Sequence, residues 1–285
     1  MTEGYPFVGT AVVTGAGSGI GRALAHGLAE RGLDLALVDI HQDRLDAALA
    51  ELRSNSRRVT THRMDVADRD AVADLPGAVA AAHDGPVSML FNNAGVAVGG
   101  RFDQVDETDF DWLMDINLHA PIRLTRAFLP RLREAPAARI VNISSIFGII
   151  APAGQTAYCA AKFGLRGFSE ALRHELDGSS VGVTVVHPGG INTRIAQDAR
   201  TDSARASGMT EEDIEAAKVR AQKSLVMPPE RAARTILEAA AARKGRLLIG
   251  NDAKMAAAIQ ALFPVRYYQI LQRRLAAADE GRKSV

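Results

Sequence analysis

Seven short runs of apolar and β-branched residues alternate with longer segments of helical period, and this alternation constrains the fold more than any other feature. Continuous apolar runs such as Leu35-Ala36-Leu37-Val38 suit strands that are buried on both faces, as in a parallel sheet. Repeated βα order predicts right-handed crossovers and an α/β, doubly wound sheet of about seven strands with helices on both faces. The predicted strands are 11–13, 33–39, 58–65, 87–91, 139–144, 181–186 and 246–249.

A glycine-rich turn follows the first predicted strand and opens a helix. Gly15, Gly19 and Gly21 let backbone amides approach a phosphate, and the helix start around Ser18 and Ile20 adds unpaired N–H groups and a positive dipole end. The spacing departs from G-x-G-x-x-G, and glycine also serves purely conformational needs in tight turns. Its position directly after the first strand favours a pyrophosphate-binding turn.

Asp39 ends the second predicted strand. A carboxylate there can accept hydrogen bonds from the 2′-OH of an adenosine ribose. It would also repel a 2′-phosphate, at a cost on the order of 1 to 4 kcal/mol depending on the dielectric, so NAD is expected in preference to NADP. His41 and Arg44 can partly offset the carboxylate, and a solvated acid or helix cap is the alternative interpretation.

Polar residues close the next two predicted strands at the edge where a dinucleotide would lie. Side-chain donors and acceptors there can meet the adenine and its ribose, although the second group also suits simple turn formation. The residues are Asp65 and Val66 after the third strand, and Asn92, Asn93, Ala94 and Gly95 after the fourth.

Tyr158 and Lys162 form a Tyr-x-x-x-Lys pair in a stretch, 157–176, that is predicted to be helical, so both side chains share one face. The cation favours the phenolate: moving the phenol pKa to near neutrality needs roughly 4 kcal/mol, about what two unit charges ~4 Å apart supply at an effective dielectric of ~20. Such a phenol can exchange a proton with a carbonyl or hydroxyl group, while the upstream Ser145 hydroxyl holds the same oxygen. The trio predicts alcohol and ketone chemistry; a chance pairing is the alternative.

The chain carries, in this order, Thr14-Gly15-x-x-x-Gly19-x-Gly21, Asn92-Asn93-Ala94-Gly95, Asn117, Ser145, Tyr158-x-x-x-Lys162 and Pro188-Gly189-Gly190-Ile191-Asn192-Thr193. Over residues 8–250 this set resembles the short-chain dehydrogenase/reductase family. The resemblance implies a Rossmann-type fold, hydride transfer between a nicotinamide and a carbonyl or alcohol, and a homodimer or homotetramer. It implies Tyr158 as general acid/base, Ser145 as the group that positions the substrate oxygen, and Lys162 as the residue that tunes Tyr158 and holds the ribose.

The same resemblance implies roles for Asn117, for one serine of the pair after the fifth strand, and for the segment after the sixth strand. Asn117, in the middle of a predicted helix, would support a proton-relay water near Lys162. Ser145 rather than Ser144 is implied as catalytic, and strand alternation would turn Ser144 away.

The segment that begins at Pro188 and Gly189 resembles the contacts to the nicotinamide carboxamide, through backbone near Ile191 and the Thr193 hydroxyl. Its match is irregular at Gly190.

Composition narrows the possible functions. The 285 residues are 47% hydrophobic and 24% charged with a net charge of +1, which allows a sizeable core and gives no sign of nucleic-acid binding. The absence of a long apolar run and of a signal-like start leads us to expect a cytoplasmic protein without an integral membrane segment. Scattered histidines predict no metal site. Cys159, the single cysteine, is expected to pack in the core.

Residues 1–250 are predicted to form a single Rossmann-fold catalytic domain with a substrate lobe at about 191–227. A weak helical pattern over 194–227 suggests an insertion that covers the substrate. Apolar residues after Ser145, Ile149-Ile150-Ala151-Pro152, favour a hydrophobic secondary alcohol or ketone as the substrate.

Residues 251–285 are predicted to form a C-terminal helical extension, a basic amphipathic pair of helices broken at Pro264. Packing on the substrate lobe or on a neighbouring subunit is the simpler interpretation. Peripheral contact with a membrane that carries a lipophilic substrate is the alternative.

The sequence therefore predicts an NAD-dependent oxidoreductase. One alternative is a catalytically silent NAD-sensing or scaffold protein on the same fold, which would need the glycine turn and Asp39 but no tuned phenol. The other is an NADP-dependent ketone or β-keto reductase. Asp39 and the lack of a basic residue at Ala16 to Ser18 disfavour it.

Overall fold

Seven parallel strands form one sheet in the computed structural model, which describes residues 7–52 and 58–274. They are β1 (Thr10–Thr14), β2 (Asp34–Asp39), β3 (Val59–Arg63), β4 (Val87–Asn92), β5 (Ala138–Ile143), β6 (Val181–Pro188) and β7 (Arg246–Ile249). Their order across the sheet is β3-β2-β1-β4-β5-β6-β7, so the chain winds outward from β1 and then, in the other direction, from β4. The predicted doubly wound fold is confirmed.

Helices cover both faces of the sheet. A π-helical turn, Asp115–His119, joins α4 to α5, and a short 3-10 helix, Ile146–Gly148, follows β5. The α-helices are α1 (Gly19–Glu30), α2 (Gln42–Leu52), α3 (Arg69–Ala82), α4 (Glu107–Met114), α5 (Ala120–Glu134), α6 (Thr156–Glu175), α7 (Asp202–Ala206), α8 (Glu211–Lys223), α9 (Pro229–Ala241) and α10 (Asn251–Leu262).

Two apolar cores lie on opposite faces of the sheet, which explains why its central strands read as continuous apolar runs. On one face, Leu24 and Leu28 of α1 pack with Ile236 of α9. On the other, Val79 of α3 packs with Phe128 of α5. Every residue of β1, β4 and β5 is buried, as expected of strands covered on both sides.

The third strand is shorter than the sequence predicted. It ends at Arg63 rather than at residue 65, because Asp65 begins a turn in which its Oδ1 accepts a hydrogen bond from the Ala67 amide at 2.9 Å. Asp65 and Val66 therefore lie beyond the strand, and the Val66 side chain is buried in the core.

The crevice where a ligand would sit in such a sheet lies where the winding direction reverses. The neighbours β1 and β4 end at Thr14 and Asn92, side by side, and the chain leaves them for different faces of the sheet. The residues that follow these two strands are brought together although almost eighty positions separate them in the chain.

Two insertions stand at this edge. The segment between β6 and α9 contains α7 and α8, and it corresponds to the predicted lobe. After β7, α10 ends at Leu262, Pro264 lies in a turn, and a further helix covers 267–274. The rest of the predicted extension, 275–285, lies outside the described residues.

Candidate active site

In the glycine-rich turn after β1, the backbone at Gly15 lies close to the backbone at the start of α1. Gly15 and Gly19 have φ angles of 64° and 52°, in the left-handed region that favours glycine. A Cβ on Gly21 would lie 2.0 Å from the Gly15 carbonyl oxygen, so only glycine allows this closure. Ser18 precedes α1 without a side-chain hydrogen bond to the helix, and the first turn holds no acidic residue. This helix start fits a phosphate group, held by amides and by the helix dipole.

Asn93 and Thr14 fasten the glycine-rich turn to the end of β4. The Asn93 Nδ2 donates to the carbonyl oxygens of Thr14 and Gly15, at 2.8 and 3.3 Å. The Thr14 hydroxyl accepts from the amides of Asn93 and Ala94, both at 3.0 Å. Ala94 is thus held by the turn, and exposed Gly95 follows it at the edge. Asn93, for which the sequence suggested no such tie, is the residue that joins the two strand ends.

Asn92 does not present its side chain to this edge. Its Nδ2 donates to Asn142 Oδ1 at 2.7 Å and to Thr125 Oγ1 at 3.1 Å, and the residue is almost fully buried between β4, β5 and α5. Strand alternation turns Asn92 inward because it is the last residue of β4. The Asn92 side chain is thus engaged between strands and helix, and its contribution to cofactor binding stays a prediction.

Asp39, at the end of β2, faces the glycine-rich turn. Its carboxylate accepts hydrogen bonds from the Gly17 amide at 2.9 Å and from the His41 amide at 3.0 Å, with the His41 Nδ1 at 3.2 Å. Arg44 does not reach this carboxylate: its guanidinium pairs with Asp198 of the lobe at 3.1 Å. Each carboxylate oxygen can accept more than one hydrogen bond, so Asp39 keeps capacity for a ribose hydroxyl.

Ser145 and Tyr158 meet on the same side of the sheet. Ser145 caps the 3-10 helix after β5, where its Oγ accepts a hydrogen bond from the Phe147 amide at 3.1 Å and also hydrogen-bonds with the Tyr158 side chain. The Phe147 ring packs edge-on against half-buried Tyr158 with centroids 6.1 Å apart. Ser144 turns away, as predicted, and its hydroxyl donates to the Lys162 carbonyl oxygen at 2.9 Å.

Lys162 lies beneath Tyr158 on α6. Its Nζ is 5.5 Å from the centroid of the phenol ring and donates to the Ile143 carbonyl oxygen at 3.1 Å.

Asn117 is fully buried, and both polar atoms of its side chain bond to Val96: its Oδ1 accepts from the Val96 amide at 2.9 Å, and its Nδ2 donates to the Val96 carbonyl at 2.8 Å. Asn117 lies in the π-helical turn, so the predicted mid-helix position is correct in place and differs in helix type.

Burial decides the pKa values of this pair. It raises the pKa of Tyr158 to about 12, and the hydrogen bond with Ser145 opposes this only in part. It also lowers the pKa of Lys162 to about 8. We expected Lys162, with help from nearby positive charge, to bring the phenol pKa towards neutrality. The direction is the opposite here, because the ammonium lies over the ring and burial penalises both charged forms.

The segment after β6 adjoins the glycine-rich turn. A Cβ on Gly19 would come within 2.9 Å of Thr193 Cγ2, so Thr193 and the turn are in contact. Buried Ile191 pairs with Met227 at the end of the lobe. Gly190 explains the irregular motif. A Cβ at this position would lie 2.1 Å from the Ser224 carbonyl oxygen, so only glycine allows the end of the lobe to pack against the segment after β6.

Pro188 ends β6 and Gly189 follows it, beside α10. A Cβ on Gly189 would lie 2.1 Å from the Asp252 carboxylate, and that carboxylate accepts a hydrogen bond from the Gly190 amide at 2.9 Å. This segment is thus held between the lobe and the C-terminal helix.

The apolar residues after Ser145 are not all available to a substrate. Ile149 and Ile150 are buried and pack with Ala256, Tyr267 and Leu271 of the C-terminal helices. Their use as evidence for an apolar substrate is therefore wrong, since they serve as an anchor for the extension.

The lobe is fixed to α4 by residues that sequence reasoning missed. Buried Asp109 accepts hydrogen bonds from the Ser203 amide at 3.1 Å and from the Ser203 hydroxyl, and it pairs with Arg200 at 3.2 Å. The Arg200 guanidinium also stacks over Trp112 at 4.6 Å from the ring centroid. From the sequence, an acidic residue in the first turn of a helix is explained by its favourable interaction with the helix dipole. No sequence signal therefore indicated that Asp109 holds the lobe.

Within residues 7–52 and 58–274, no set of three or more His, Cys, Asp or Glu side chains stands close enough to hold a metal ion. Over the same ranges, no helix has the length and apolar character needed to cross a membrane.

Comparison with known proteins gives a consistent result. The family model described as "short chain dehydrogenase" matches residues 9–204. Among curated relatives, "Putative oxidoreductase SadH" of Mycobacterium tuberculosis is 42% identical over 246 residues, which cover 86% of this chain and 87% of that one.

Solved structures resemble this chain over most of its length. A short chain dehydrogenase/reductase from Burkholderia phymatum in complex with NAD has a TM-score of 0.83 and 30% identity, and covers 90% of this chain and 94% of its own. A short chain dehydrogenase from Mycobacterium paratuberculosis bound to NAD has a TM-score of 0.72 and 26% identity, and covers 86% and 97% of the two chains.

Proposed function

The chain belongs to the short chain dehydrogenase family of oxidoreductases, and from that premise we propose that it transfers a hydride between NAD(H) and a hydrophobic secondary alcohol or ketone, with Tyr158 as general acid/base. The proposal includes a cytoplasmic homodimer or homotetramer, and a catalytic domain of residues 1–250 with a substrate lobe at 191–227.

One observation carries the proposal: the residues suited to proton transfer stand beside the residues suited to hold a dinucleotide. A Cβ built on Gly95, three residues after β4, would lie 3.1 Å from Asn117 Oδ1 and 3.6 Å from Lys162 Nζ. Gly95 follows Ala94, which is hydrogen-bonded to Thr14 at the start of the glycine-rich turn. The residues proposed for proton chemistry and those proposed for phosphate recognition therefore lie at one edge of the sheet.

Bound nicotinamide would accept or supply the hydride. The chain's own residues handle the proton and the position of the substrate oxygen. Because the Phe147 amide occupies one acceptor site of the Ser145 hydroxyl, the Ser145 proton is free to point towards Tyr158 or a substrate oxygen. A Tyr158 phenol with a pKa near 12 is protonated at neutral pH and suited to donate to a carbonyl that is being reduced.

Lys162 supports the reverse proton movement. With a pKa of about 8 it is mainly charged at pH 7, and its ammonium lowers the cost of forming a phenolate above it. Asn117 holds the Val96 backbone next to this lysine, and we assign it the support of a water-mediated path from Lys162 to solvent.

Asp39 supports NAD as the preferred cofactor. Its carboxylate is held at the glycine-rich turn, where a 2′-phosphate would meet like charge, and Arg44 is engaged by Asp198 rather than free to offset it. The alternative, an NADP-dependent ketone or β-keto reductase, needs a cation at this point. The same proposal includes contributions to cofactor binding from eight further residues: Ser18, Ile20, Asp65, Val66, Pro188, Gly189, Ile191 and Thr193.

An apolar substrate is supported by the surroundings of Tyr158. Tyr158 packs against an apolar cluster that includes Val98 and Leu113, and the Phe147 ring packs edge-on against it. A small charged hydroxy acid would have to shed its hydration shell in these surroundings.

The first experiment measures NADH absorbance for the wild type and Tyr158→Phe, with NAD and NADP, against apolar secondary alcohols and ketones. We expect turnover with NAD, and a loss of at least ~100-fold in Tyr158→Phe with cofactor binding retained, because a general acid/base typically contributes that much. Tyr268→Phe is the matched control, since it removes a phenol hydroxyl from the C-terminal region and should keep wild-type turnover.

Near-full activity of Tyr158→Phe would refute the assignment of Tyr158. Tight NAD binding without turnover of any tested compound would favour the catalytically silent sensor instead. A lower Michaelis constant for NADP than for NAD would overturn the assignment of Asp39.

A further inference from the structure

The turn between the two C-terminal helices exposes large apolar side chains. We call residues 262–265 the tail tip. Within it, Leu262, Phe263 and Val265 expose 74%, 49% and 88% of their surface. Single exposed apolar residues are ordinary on a protein surface, but three within four positions form a patch that asks for an explanation.

The tail tip projects from a supported structure. The Tyr267 hydroxyl accepts a hydrogen bond from the Ala151 amide at 2.9 Å, directly after the tip. Arg274 donates to the Met255 sulfur at 3.5 Å, so the second helix returns along α10. The inner side of this helix pair packs through Ala256 and Tyr267 on Ile149 and Ile150. The exposed apolar residues are therefore held outward by a packed base.

Positive charge lies beside the tail tip at Arg266 and further along the helix pair that carries it. Residues 251–274 contain four cations and one carboxylate. The carboxylate, Asp252, is bound to the Gly190 amide at the base. The cations Lys254, Arg266, Arg273 and Arg274 are all exposed.

We propose that the tail tip binds the surface of an anionic lipid bilayer, inserting its apolar residues at the headgroup boundary. Exposed apolar residues flanked by Lys and Arg are the combination that interfacial binding requires, because burial and attraction to anionic headgroups act together. A second copy of the chain suits this surface less well, since a two-fold contact would place like charges opposite one another.

Resting on the proposed function, this placement also narrows the substrate class. Tyr267 touches Ala151, six positions after Ser145, so the bilayer would lie beside the loop that leads to the proton-transfer residues. The substrate class is then a lipid-soluble secondary alcohol or ketone that reaches the site from the membrane surface.

Sedimentation with vesicles of phosphatidylcholine alone, and of an equal mixture of phosphatidylcholine and phosphatidylglycerol, tests the proposal on the full chain. We expect binding to the mixed vesicles and little to the neutral ones. Leu262→Ser combined with Val265→Ser should weaken binding by at least ~10-fold, from the apolar burial lost. Arg266→Gln and Arg273→Gln should each weaken it by about 5-fold.

Val8→Ser is the matched control, because it removes an exposed apolar residue before the amino end of β1, outside the C-terminal helices, and should bind as the wild type does. No binding of the wild type to mixed vesicles, or equal binding by the tip variant, would overturn the proposal. A fall in oligomer mass in the tip variant, without vesicle binding by the wild type, would assign the tip to a subunit contact instead.

Turnover of a water-soluble ketone, measured on the same proteins, separates this proposal from the proposed function. Vesicle binding without turnover would contradict the proposed enzyme activity but support membrane binding by the tail tip. Turnover without vesicle binding would support the enzyme activity and contradict membrane binding.

Discussion

His187 shows how a single buried side chain can hold the site in place. It lies next to Pro188 on β6, fully buried, and its Nδ1 donates to the Ser145 carbonyl oxygen at 2.9 Å. Among the described residues, its Nε2 has no hydrogen-bond partner. Burial lowers the pKa of His187 to about 4, so the imidazole is neutral at pH 7. The main chain of Ser145 is therefore positioned by an uncharged ring.

Replacement of His187 by Asn should change the acid stability of the protein. An unfolded histidine, with a pKa near 6.5, binds a proton more readily than the folded one at about 4, so stability present above pH 6.5 is lost as pH falls through 4. The loss from this group is ~3 kcal/mol. Asn can still donate to Ser145 but does not titrate, so His187→Asn should lose less stability over this range.

Denaturant unfolding at pH 7 and pH 4.5 measures the difference between wild type and variant. His174→Asn, at an exposed position, is the control and should follow the wild type. Parallel acid sensitivity in all three proteins would contradict the lowered pKa of His187.

The residue scale also shows what the sequence can and cannot reveal about the site. Spacing in the chain was enough to bring Ser145, Tyr158 and Lys162 together, because strand ends and one helix face determine their positions. Spacing could not reveal which asparagine of the pair faces the turn, since this depends on where β4 ends. Nor could it give the direction of the Tyr158 pKa, which burial decides.

At the scale of elements, the lobe depends on one short helix and its contact with α4. The N-terminal residues of α7 meet the Asp109 carboxylate, which is buried and also pairs with Arg200. A short helix is marginal without tertiary contacts. The order of this segment, the proposed substrate lobe, is therefore expected to depend on a carboxylate outside it.

Asp109→Asn should loosen the lobe. Charge-assisted hydrogen bonds to a buried group contribute about 1.5–3 kcal/mol, so we expect a local stability loss of that size and a Michaelis constant for substrate raised by about 10-fold. Asp202→Asn removes an exposed carboxylate from the same Arg200 and is the matched control. Hydrogen exchange over 200–206 reports the local effect; equal exchange in the two variants would contradict the role of Asp109.

The boundaries of strands and helices could be predicted where their causes are local in the sequence, and could not where they depend on contacts with distant residues. The seven strands and most helices could be predicted because apolar period and glycine turns are local signals. The early end of β3 depends on a side-chain hydrogen bond of Asp65. The π-helical turn contains Asn117, whose side chain bonds to Val96 on a different part of the chain, a contact that no local pattern encodes.

At the scale of the whole molecule, one ion pair joins the cofactor half to the lobe. Arg44 of α2, beside Gly17 and Asp39, reaches Asp198, which Arg194 also contacts from within the lobe at 3.1 Å. A dinucleotide bound at Asp39 would lie next to this bridge. The order of the lobe and the occupancy of the cofactor site are therefore expected to be coupled.

Arg44→Gln should reduce the protection that NAD gives to the lobe against trypsin. Partly exposed ion pairs contribute up to about 1 kcal/mol, so the reduction should be at most about 5-fold. Arg194→Gln, which touches the same carboxylate but does not bridge the two halves, is the control and should keep the coupling. Equal protection in Arg44→Gln and the wild type would show that the halves respond independently.

The single cysteine bears on how the protein tolerates oxidants. Cys159 adjoins Tyr158 in α6, is buried, and has a pKa raised to about 11 by that burial. Only the thiolate reacts readily with peroxide or with a disulfide, and at neutral pH its fraction here is on the order of one in ten thousand. The sulfur beside Tyr158, the proposed proton-transfer residue, is thus expected to react slowly, and the proposed activity should withstand oxidants in the cell.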